Sequence, residues 1–244
     1  TISPVLKTVF LVHGHQGSRY NQLNTGVRRA ILNNEDTTVI VVDWQPYASG
    51  SYSSASDNVP LVAASLANFI NLFRTIPNFN SPIHIVGFNL GAHVAGIAGR
   101  SVNLPVHRIT GLDPTGSQWG QNSNRLRATD AVYVEVIHTD GSGLLANGVG
   151  TAIGSADFFV NGGSNQPGCL THSCSHERAY EVFEASFVNP TLVGRRCMSS
   201  SQMTLNRCSG ESLRLGFNDL TKTGLLVRAK NYPISNCYTR TNTF

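Results

Sequence analysis

One stretch, residues 83–96, constrains the fold of this chain more than any other. It reads Ile-His-Ile-Val-Gly-Phe-Asn-Leu-Gly-Ala-His-Val-Ala-Gly. A short apolar, β-branched run ends at Gly87, and a pattern of small residues typical of a helix begins after Gly91. Because glycine lets two backbones approach closely, we predict a strand, a tight turn and a helix that pack against each other.

The middle residue of this turn is Asn89. Turns of this design in hydrolases read Gly-x-Ser-x-Gly and expose a nucleophilic serine on a strained backbone, whereas this chain reads Gly-Phe-Asn-Leu-Gly. Asparagine is one of the few residues other than glycine that tolerate the positive φ of such a turn. We therefore expect the turn to be kept while the hydroxyl group needed for acyl transfer is lost.

The rest of the chain predicts an α/β fold, because short β-branched runs alternate with helical patterns as in a parallel sheet with crossover helices. The predicted strands are residues 7–12, 38–44, 83–87, 108–112, 131–138, 213–217 and 225–229. The predicted helices are residues 22–32, from 57 or 58 to before 77, from 91 to about 100, and 175–187. Active crevices lie at the carboxyl ends of such strands, which places His13, Asn89 and Asp113 along one rim.

Composition favours one domain with a weakly charged surface. A chain of 244 residues buries one large core, so we expect a single domain over residues 1–244. Only 13% of the residues are charged and the net charge of +4 is scattered, which argues against nucleic-acid binding. No apolar run approaches the ~20 residues of a membrane span, so we expect no stable membrane insertion. The composition leaves the oligomeric state open.

Five cysteines fall late in the chain. Four of them form two close pairs, Cys169 with Cys174 and Cys197 with Cys208, and Cys237 is left over. Close pairs favour local disulfides and a secreted, extracellular protein. A metal cluster is the competing interpretation of residues 169–176, but the segment lacks the usual Cys-x₂-Cys spacing. The chain begins without a signal peptide, so we expect a mature or truncated protein.

Several motifs accompany the turn at Asn89 in a fixed order. They are Phe-Leu-Val-His-Gly at 10–14, Val-Asp-Trp at 42–44, Gly-Leu-Asp-Pro at 111–114, Val-Ile-His-Thr at 136–139, Asp-Phe-Phe-Val-Asn-Gly-Gly at 157–163 and Cys-Ser-His-Glu-Arg-Ala-Tyr at 174–180. With these motifs in this order, the chain resembles the pancreatic-lipase-like family, most of all insect lipases, venom phospholipases A1 and dipteran yolk proteins. The resemblance implies an α/β-hydrolase fold, in which a mostly parallel sheet is flanked by helices, and a short lid at residues 169–174. We expect the chain to depart from the family in having no C-terminal lipid-binding β-sandwich.

The resemblance assigns a role to each residue of a catalytic triad. Asn89 stands where the family has its nucleophilic serine, Asp113 matches the acid and His176 matches the base. The backbone N–H groups of His15 and Leu90 match the oxyanion hole. We expect the Asn89 amide to hydrogen-bond His176 or to fill that hole.

Other positions also depart from the family pattern. The family has an aromatic residue where this chain has His15, and a histidine where it has Phe88. At positions where some members bind calcium, this chain has Asn122, Arg127 and Asp130, so we expect no metal and no cofactor. By resemblance and rim position, the candidate ligand-lining residues are His15, Tyr52, Asn89, Leu90, Leu144, Leu145 and Phe158.

These features together predict a catalytically inactive, secreted lipase homologue. It stores nutrient as yolk proteins do, which predicts a collapsed or polar cleft, or it carries a fatty acid, steroid or pigment, which predicts an open apolar pocket. The alternative is a triacylglycerol lipase or phospholipase A1 inactivated, for instance by engineering, at Asn89; the further changes at His15 and Phe88 argue against a single engineered substitution. Two active alternatives remain: water activated directly by Asp113 and His176, or Ser18 as a displaced nucleophile.

Overall fold

A nine-stranded sheet organises the part of the chain described by the computed structural model, which comprises residues 4–216, 222 and 224–229. Its order is β2-β1-β3-β4-β5-β6-β9-β7-β8, numbered along the chain. The strands are β1 (Lys7–Val12), β2 (Thr37–Val42), β3 (Ile83–Phe88), β4 (Arg108–Leu112), β5 (Tyr133–His138), β6 (Ala156–Val160), β7 (Val193–Arg196), β8 (Ser212–Arg214) and β9 (Gly224–Ala229).

The sheet is mostly parallel, which confirms the predicted fold class. Among the described strands, β1 to β6 and β9 pair in parallel, and β7 and β8 run antiparallel to their neighbours. Strands β6 and β7 were not predicted from the residue pattern. Strand β6 is only five residues long and lies among glycines, so its periodicity is too short to identify it. Phe217 and Cys237 lie outside the described residues.

Helices cover both faces of this sheet. They are α1 (Arg28–Asn34), which continues a π-helical turn at Leu23–Val27, α2 (Gln45–Ala48), α3 (Tyr52–Phe73), α4 (Leu90–Ser101), α5 (His172–Ser186) and α6 (Ser200–Thr204), with a 3₁₀ turn at Ala128–Asp130. Strand β1 shows the layering, because Phe10 and Val12 pack in one buried cluster while Val9 and Leu11 pack in the other. This alternation is what a strand covered on both faces requires.

Helix α3 begins earlier than predicted. The expected caps, Asp57 and Asn58, lie inside the helix, and so does Pro60. The cap is Ser51, whose side chain accepts a hydrogen bond from the Ser54 N–H at 3.2 Å. A serine accepting this bond satisfies one of the unpaired donors of the first turn, so the helix starts five residues or more before the predicted position, within a segment rich in serine, glycine and tyrosine.

A buried histidine holds α4 to the loops beyond β4. The His93 Nε2–H donates to the Thr115 carbonyl at 2.9 Å, and Nδ1 accepts from the Leu126 N–H at 3.1 Å. The ring stacks on Trp119 at a centroid distance of 4.4 Å. Burial in this setting lowers the pKa of His93 from 6.5 to about 4. His93 is therefore a structural residue that is neutral at physiological pH.

This histidine predicts a loss of stability in acid. The unfolded chain binds a proton at His93 below about pH 6.5, whereas the folded protein resists protonation down to about pH 4. Stability is thus lost as the pH falls through this window, and His93 contributes about 2–3 kcal/mol of that loss at pH 4.5. Urea unfolding of the native protein and of His93→Gln at pH 7 and pH 4.5 measures it. Equal pH dependence in the two proteins would contradict this assignment.

Candidate functional site

Asn89 occupies a strained turn between β3 and α4. Its φ of 56° and ψ of −121° confirm the positive φ predicted from the sequence. The two flanking positions have no room for a side chain, because a Cβ at Gly87 would lie 2.2 Å from the Gly91 carbonyl oxygen. A Cβ at Gly91 would lie 2.3 Å from the carbonyl oxygen of Val12. The backbone here therefore has the geometry of a nucleophile elbow, with an amide side chain at its centre.

A chain of hydrogen bonds joins Asn89 to the two residues assigned as base and acid. Asn89 Nδ2 lies 2.9 Å from His176 Nε2, and His176 Nδ1 lies 2.5 Å from Asp113 Oδ2. An amide nitrogen only donates and a carboxylate only accepts, so these partners place the ring proton of His176 on Nδ1. Three residues far apart in the sequence are thus brought together as the resemblance implied, with an amide in place of a hydroxyl.

The other end of the Asn89 amide reaches one of the two backbone donors that the resemblance assigns to an oxyanion hole. Asn89 Oδ1 accepts a hydrogen bond from the backbone N–H of His15 at 3.1 Å. The expected hydrogen bond between the amide and His176 is present, whereas the role of the His15 N–H in an oxyanion hole stays a prediction. The donor that would stabilise a developing oxyanion in an acyl-transfer enzyme is therefore satisfied by the protein itself.

Asp113 is fixed by the loop that follows β5. It is fully buried, and its Oδ1 accepts from the backbone N–H groups of Thr139 at 2.8 Å and Asp140 at 3.2 Å. Thr139 Oγ1 in turn donates to the His176 carbonyl at 3.3 Å. The carboxylate therefore holds the imidazole and this loop at once, which gives it a structural role independent of catalysis.

Aromatic residues cover the remaining side of His176. The Phe88 ring lies 4.5 Å from the imidazole and 5.3 Å from the Tyr180 ring. Burial raises the pKa of Tyr180, so this phenol stays neutral. Phe88 therefore places an apolar ring against His176, at a position where the resemblance implies a histidine.

The second departure, His15, shapes the rim with its side chain as well as its backbone. Its Nε2 lies 2.9 Å from the Gly50 carbonyl oxygen, and its ring meets Tyr52 edge-on at 5.5 Å. The Tyr52 hydroxyl donates to the Ser117 carbonyl at 2.6 Å and lies 2.9 Å from Thr115 Oγ1. Burial raises the pKa of Tyr52. These contacts join the loops after β1, β2 and β4 into one wall.

A cavity of about 700 Å³ opens above these groups. Three of the predicted ligand-lining residues, His15, Tyr52 and Asn89, line it together with His176. The further lining residues are Gln16, Gly17, Asn21, Gln22, Leu23, Phe88, Thr115, Ser117, Ala146, Asn147, Ser173, Glu177 and Tyr180. Most of this wall is polar, which differs from the apolar acyl cleft that the carrier hypothesis predicted.

Four predicted ligand-lining residues lie outside this cavity. Leu90 and Phe158 are fully buried, because each side chain packs in one of the two core clusters. Leu144 is fully exposed and Leu145 is 75% exposed, so both side chains extend into solvent. The lining prediction is corrected for these four residues. Of Leu90, only the backbone N–H keeps an assigned role, as one donor of the oxyanion hole.

Sequence reasoning also missed polar residues of the cavity wall. Tyr180 follows His176 by four positions on α5, so the helical period could have found it. Glu177 follows His176 by one position and lies about 100° around the helix, so this period does not identify it. Gln16, Asn21 and Asn147 lie in loops without periodicity, and only tertiary contacts bring them to the site. The helix has a regular period that can be recognised in the sequence, and the loops have none.

Two disulfides confirm the predicted cysteine pairs. Cys169 bonds Cys174, which closes the short lid segment beside the cavity, and Cys197 bonds Cys208. The metal-cluster interpretation of residues 169–176 is wrong, because its sulfurs are oxidised and its histidines pair with acids. His172 Nδ1 lies 2.5 Å from Asp140 Oδ1, and His176 binds Asp113 as described.

Asp130, which the resemblance places at a calcium-binding position of some family members, is paired with two arginines. Asp130 is buried and accepts from Arg100 Nη2 at 2.7 Å and from Arg127 Nε at 3.2 Å. Guanidinium groups thus provide the positive charge that a cation would supply at this carboxylate. Within the described residues, no group of three or more His, Cys, Asp or Glu side chains is arranged to hold a metal ion.

Two further polar residues of the β1 loop do not join the site. Ser18 Oγ accepts from the Tyr20 N–H at 3.3 Å, and Ser18 is not among the residues that line the cavity. His13 is fully buried, and its Nε2 accepts from the Trp44 N–H at 3.1 Å. Neither residue is placed to replace the missing nucleophile.

Across the described part of the chain, no helix combines the length and the apolar character needed to cross a membrane.

Comparisons with known proteins show the family to which the sequence is similar. The family described as Lipase matches residues 3–221. Pancreatic lipase-related protein 2 of Cavia porcellus is 37% identical over 210 residues, which cover 83% of this chain and 48% of that protein. Phospholipase A1 member A of Rattus norvegicus is 37% identical over 196 residues, which cover 75% of this chain and 42% of that protein.

Among solved structures, dienelactone hydrolase from Anabaena variabilis aligns with a TM-score of 0.41 and 14% identity, over 56% of this chain and 63% of that one. This chain spans about half the length of the curated relatives it matches. The match over residues 3–221 and the mostly parallel sheet carry the assignment: the chain belongs to the lipase family and has the α/β-hydrolase fold.

Proposed function

We propose that this protein is a secreted lipase homologue that does not hydrolyse esters and instead uses its former active-site cavity to bind a small molecule. One observation carries the proposal: the Asn89 amide bonds both the His15 N–H and His176 Nε2. An amide is not a nucleophile, so no acyl-enzyme forms at this position. Loss of a triad member leaves about 10³–10⁴-fold catalysis over water, compared with the 10⁶-fold or more of working enzymes.

Direct activation of water meets the same obstacle. A general base needs a free lone pair within hydrogen-bond reach of the water. The only lone pair of the neutral His176 ring is on Nε2, and it accepts from Asn89. Water would have to displace an amide that is also held by the His15 N–H. The resting site is therefore blocked at the base and at the oxyanion hole together.

An ester-hydrolysis assay tests the absence of activity. We expect the native protein to show no turnover of short-chain or long-chain p-nitrophenyl esters above that of His176→Ala. The variant serves as the control, because it lacks the base but keeps the fold around the cavity. Turnover by the native protein that a serine-reactive phosphonate blocks would refute the proposal, and so would phosphonate-resistant turnover that disappears in His176→Ala.

The open cavity favours binding over storage. A storage protein under no demand for binding has no need of an open cavity of about 700 Å³, a volume within the ~300–1,000 Å³ of small-molecule sites. The polar wall of the cavity is the one observed feature that the storage hypothesis also predicts. Two disulfides support secretion, because such bonds persist in oxidising surroundings. Mass spectrometry of a solvent extract from the purified protein distinguishes the two roles, since a stoichiometric small molecule is expected only for a carrier.

A further inference from the structure

The cavity wall is rich in side-chain amides. Gln16, Asn21, Gln22 and Asn147 line it in addition to Asn89. Each amide offers donors on nitrogen and an acceptor oxygen, which matches a ligand whose groups both donate and accept. Hydroxyl groups have this double character, whereas an acyl chain has neither.

Two of these amides are already oriented by the protein. Asn21 Oδ1 accepts from the Asn24 N–H at 3.1 Å, which leaves its nitrogen for a ligand acceptor. Asn147 Nδ2 donates to Asp140 Oδ2 at 2.9 Å, which leaves its oxygen for a ligand donor. A wall that holds one donor and one acceptor in place recognises hydroxyl groups at a lower entropic cost than flexible side chains would.

The charges of the wall disfavour an anion. None of the residues that line the cavity is lysine or arginine, and Glu177 contributes a carboxylate. The nearby Arg178 is paired with Glu181. An ionised fatty acid would leave its carboxylate without a cationic partner in a partly closed site, and that costs free energy. A neutral ligand avoids this cost.

Aromatic rings line the same cavity. Tyr52, Phe88 and Tyr180 contribute to the wall, and the first and last carry hydroxyl groups beside their rings. Such residues present an apolar body and a polar edge. A sugar ring matches them, because it has C–H faces between hydroxyl groups.

We infer that the cavity binds a neutral glycoside, a ligand with several hydroxyl groups and no charge. The inference rests on the proposed function, because it assigns a ligand class to the same non-hydrolytic cavity. Free sugars and the headgroups of neutral glycolipids share this chemistry. The volume of about 700 Å³ lies within the ~300–1,000 Å³ of sites for small molecules.

Calorimetric titration of the native protein with three probes tests the inference: maltose, octyl β-glucoside below its micelle concentration, and octanoate. We expect binding of at least one glycoside with a Kd at least about tenfold lower than that of octanoate. Maltose binding indicates a free sugar, and binding of octyl glucoside alone indicates a lipid headgroup; both outcomes support the inference. Octanoate binding as tightly as the glycosides, or no glycoside binding, would overturn it.

A matched pair of variants locates the site. Gln22→Leu removes one lining amide and is expected to weaken glycoside binding at least about fivefold. Gln45→Leu changes an exposed glutamine of α2 that does not line the cavity, and binding is expected to stay the same. Equal affinities for the two variants would contradict the assignment. Ester hydrolysis is measured separately, so failure of the ligand class leaves the proposal of an inactive enzyme standing, whereas hydrolysis would refute that proposal.

Discussion

Asn89→Ser is expected to turn the protein into an ester hydrolase. The substitution puts a hydroxyl at an elbow whose geometry is intact, beside a base already held by Asp113 at 2.5 Å. It also frees the His15 N–H, which then binds a substrate oxyanion. We expect kcat/KM for p-nitrophenyl butyrate to rise at least about 10²-fold, the gap between a broken triad and a working one.

Two controls separate a restored triad from an indirect effect. Asn89→Ala frees the oxyanion hole without adding a nucleophile, so it is expected to stay near the native rate. Adding His176→Ala to Asn89→Ser removes the base, so the gain is expected to disappear. A folded Asn89→Ser protein without activity would show that a serine alone does not restore catalysis, because His15 and Phe88 have also changed the cleft.

Asp113→Ala is expected to destabilise the protein strongly, because this buried carboxylate accepts hydrogen bonds from the backbone of one loop and from the His176 ring. Removing it leaves three buried donors without an acceptor: the N–H groups of Thr139 and Asp140 and Nδ1–H of His176. Alanine must also adopt the φ of 39° at this position. Each unsatisfied donor costs about 1–3 kcal/mol, so we expect a loss of about 3–5 kcal/mol in the free energy of unfolding, measured in urea.

Two variants bracket this value. Asp113→Asn keeps an acceptor oxygen for the backbone donors but loses the charge, so a loss of about 1–2 kcal/mol is expected. Asp36→Ala removes an exposed acid and is expected to change stability by less than about 0.5 kcal/mol. If Asp113→Ala cost no more than Asp36→Ala, the structural role assigned to the triad acid would be wrong.

Local patterns were sufficient to find the catalytic frame. The strand, glycines and helix around Asn89 carry their own periodicity, and Asp113 directly follows a strand of five buried residues. The requirement for positive φ was predictable, because the residue type and the turn both indicate it. His176 was found through the motif that contains it, because nothing in a helix period identifies a base.

The parts that sequence missed depend on long-range packing. Phe158 was assigned to the cleft, but the alternation of β6 directs it into the core while Phe159 stacks on His138 at 4.3 Å. Both faces of β6 are buried, so neither phenylalanine reaches the cavity. The polar wall was missed because loops carry no period that predicts which side chains meet. The start of α3 was missed because serine and glycine indicate a cap and a loop equally well.

The central claim is that the Asn89 side chain blocks both the base and the oxyanion hole. Nitrogen NMR of labelled protein tests it directly, through the scalar coupling across the hydrogen bond between Asn89 Nδ2 and His176 Nε2, which are 2.9 Å apart. We predict an observable coupling, with the ring proton on Nδ1 and an unprotonated Nε2. No coupling, together with a proton on Nε2, would show that the amide has left the base, and would contradict the account.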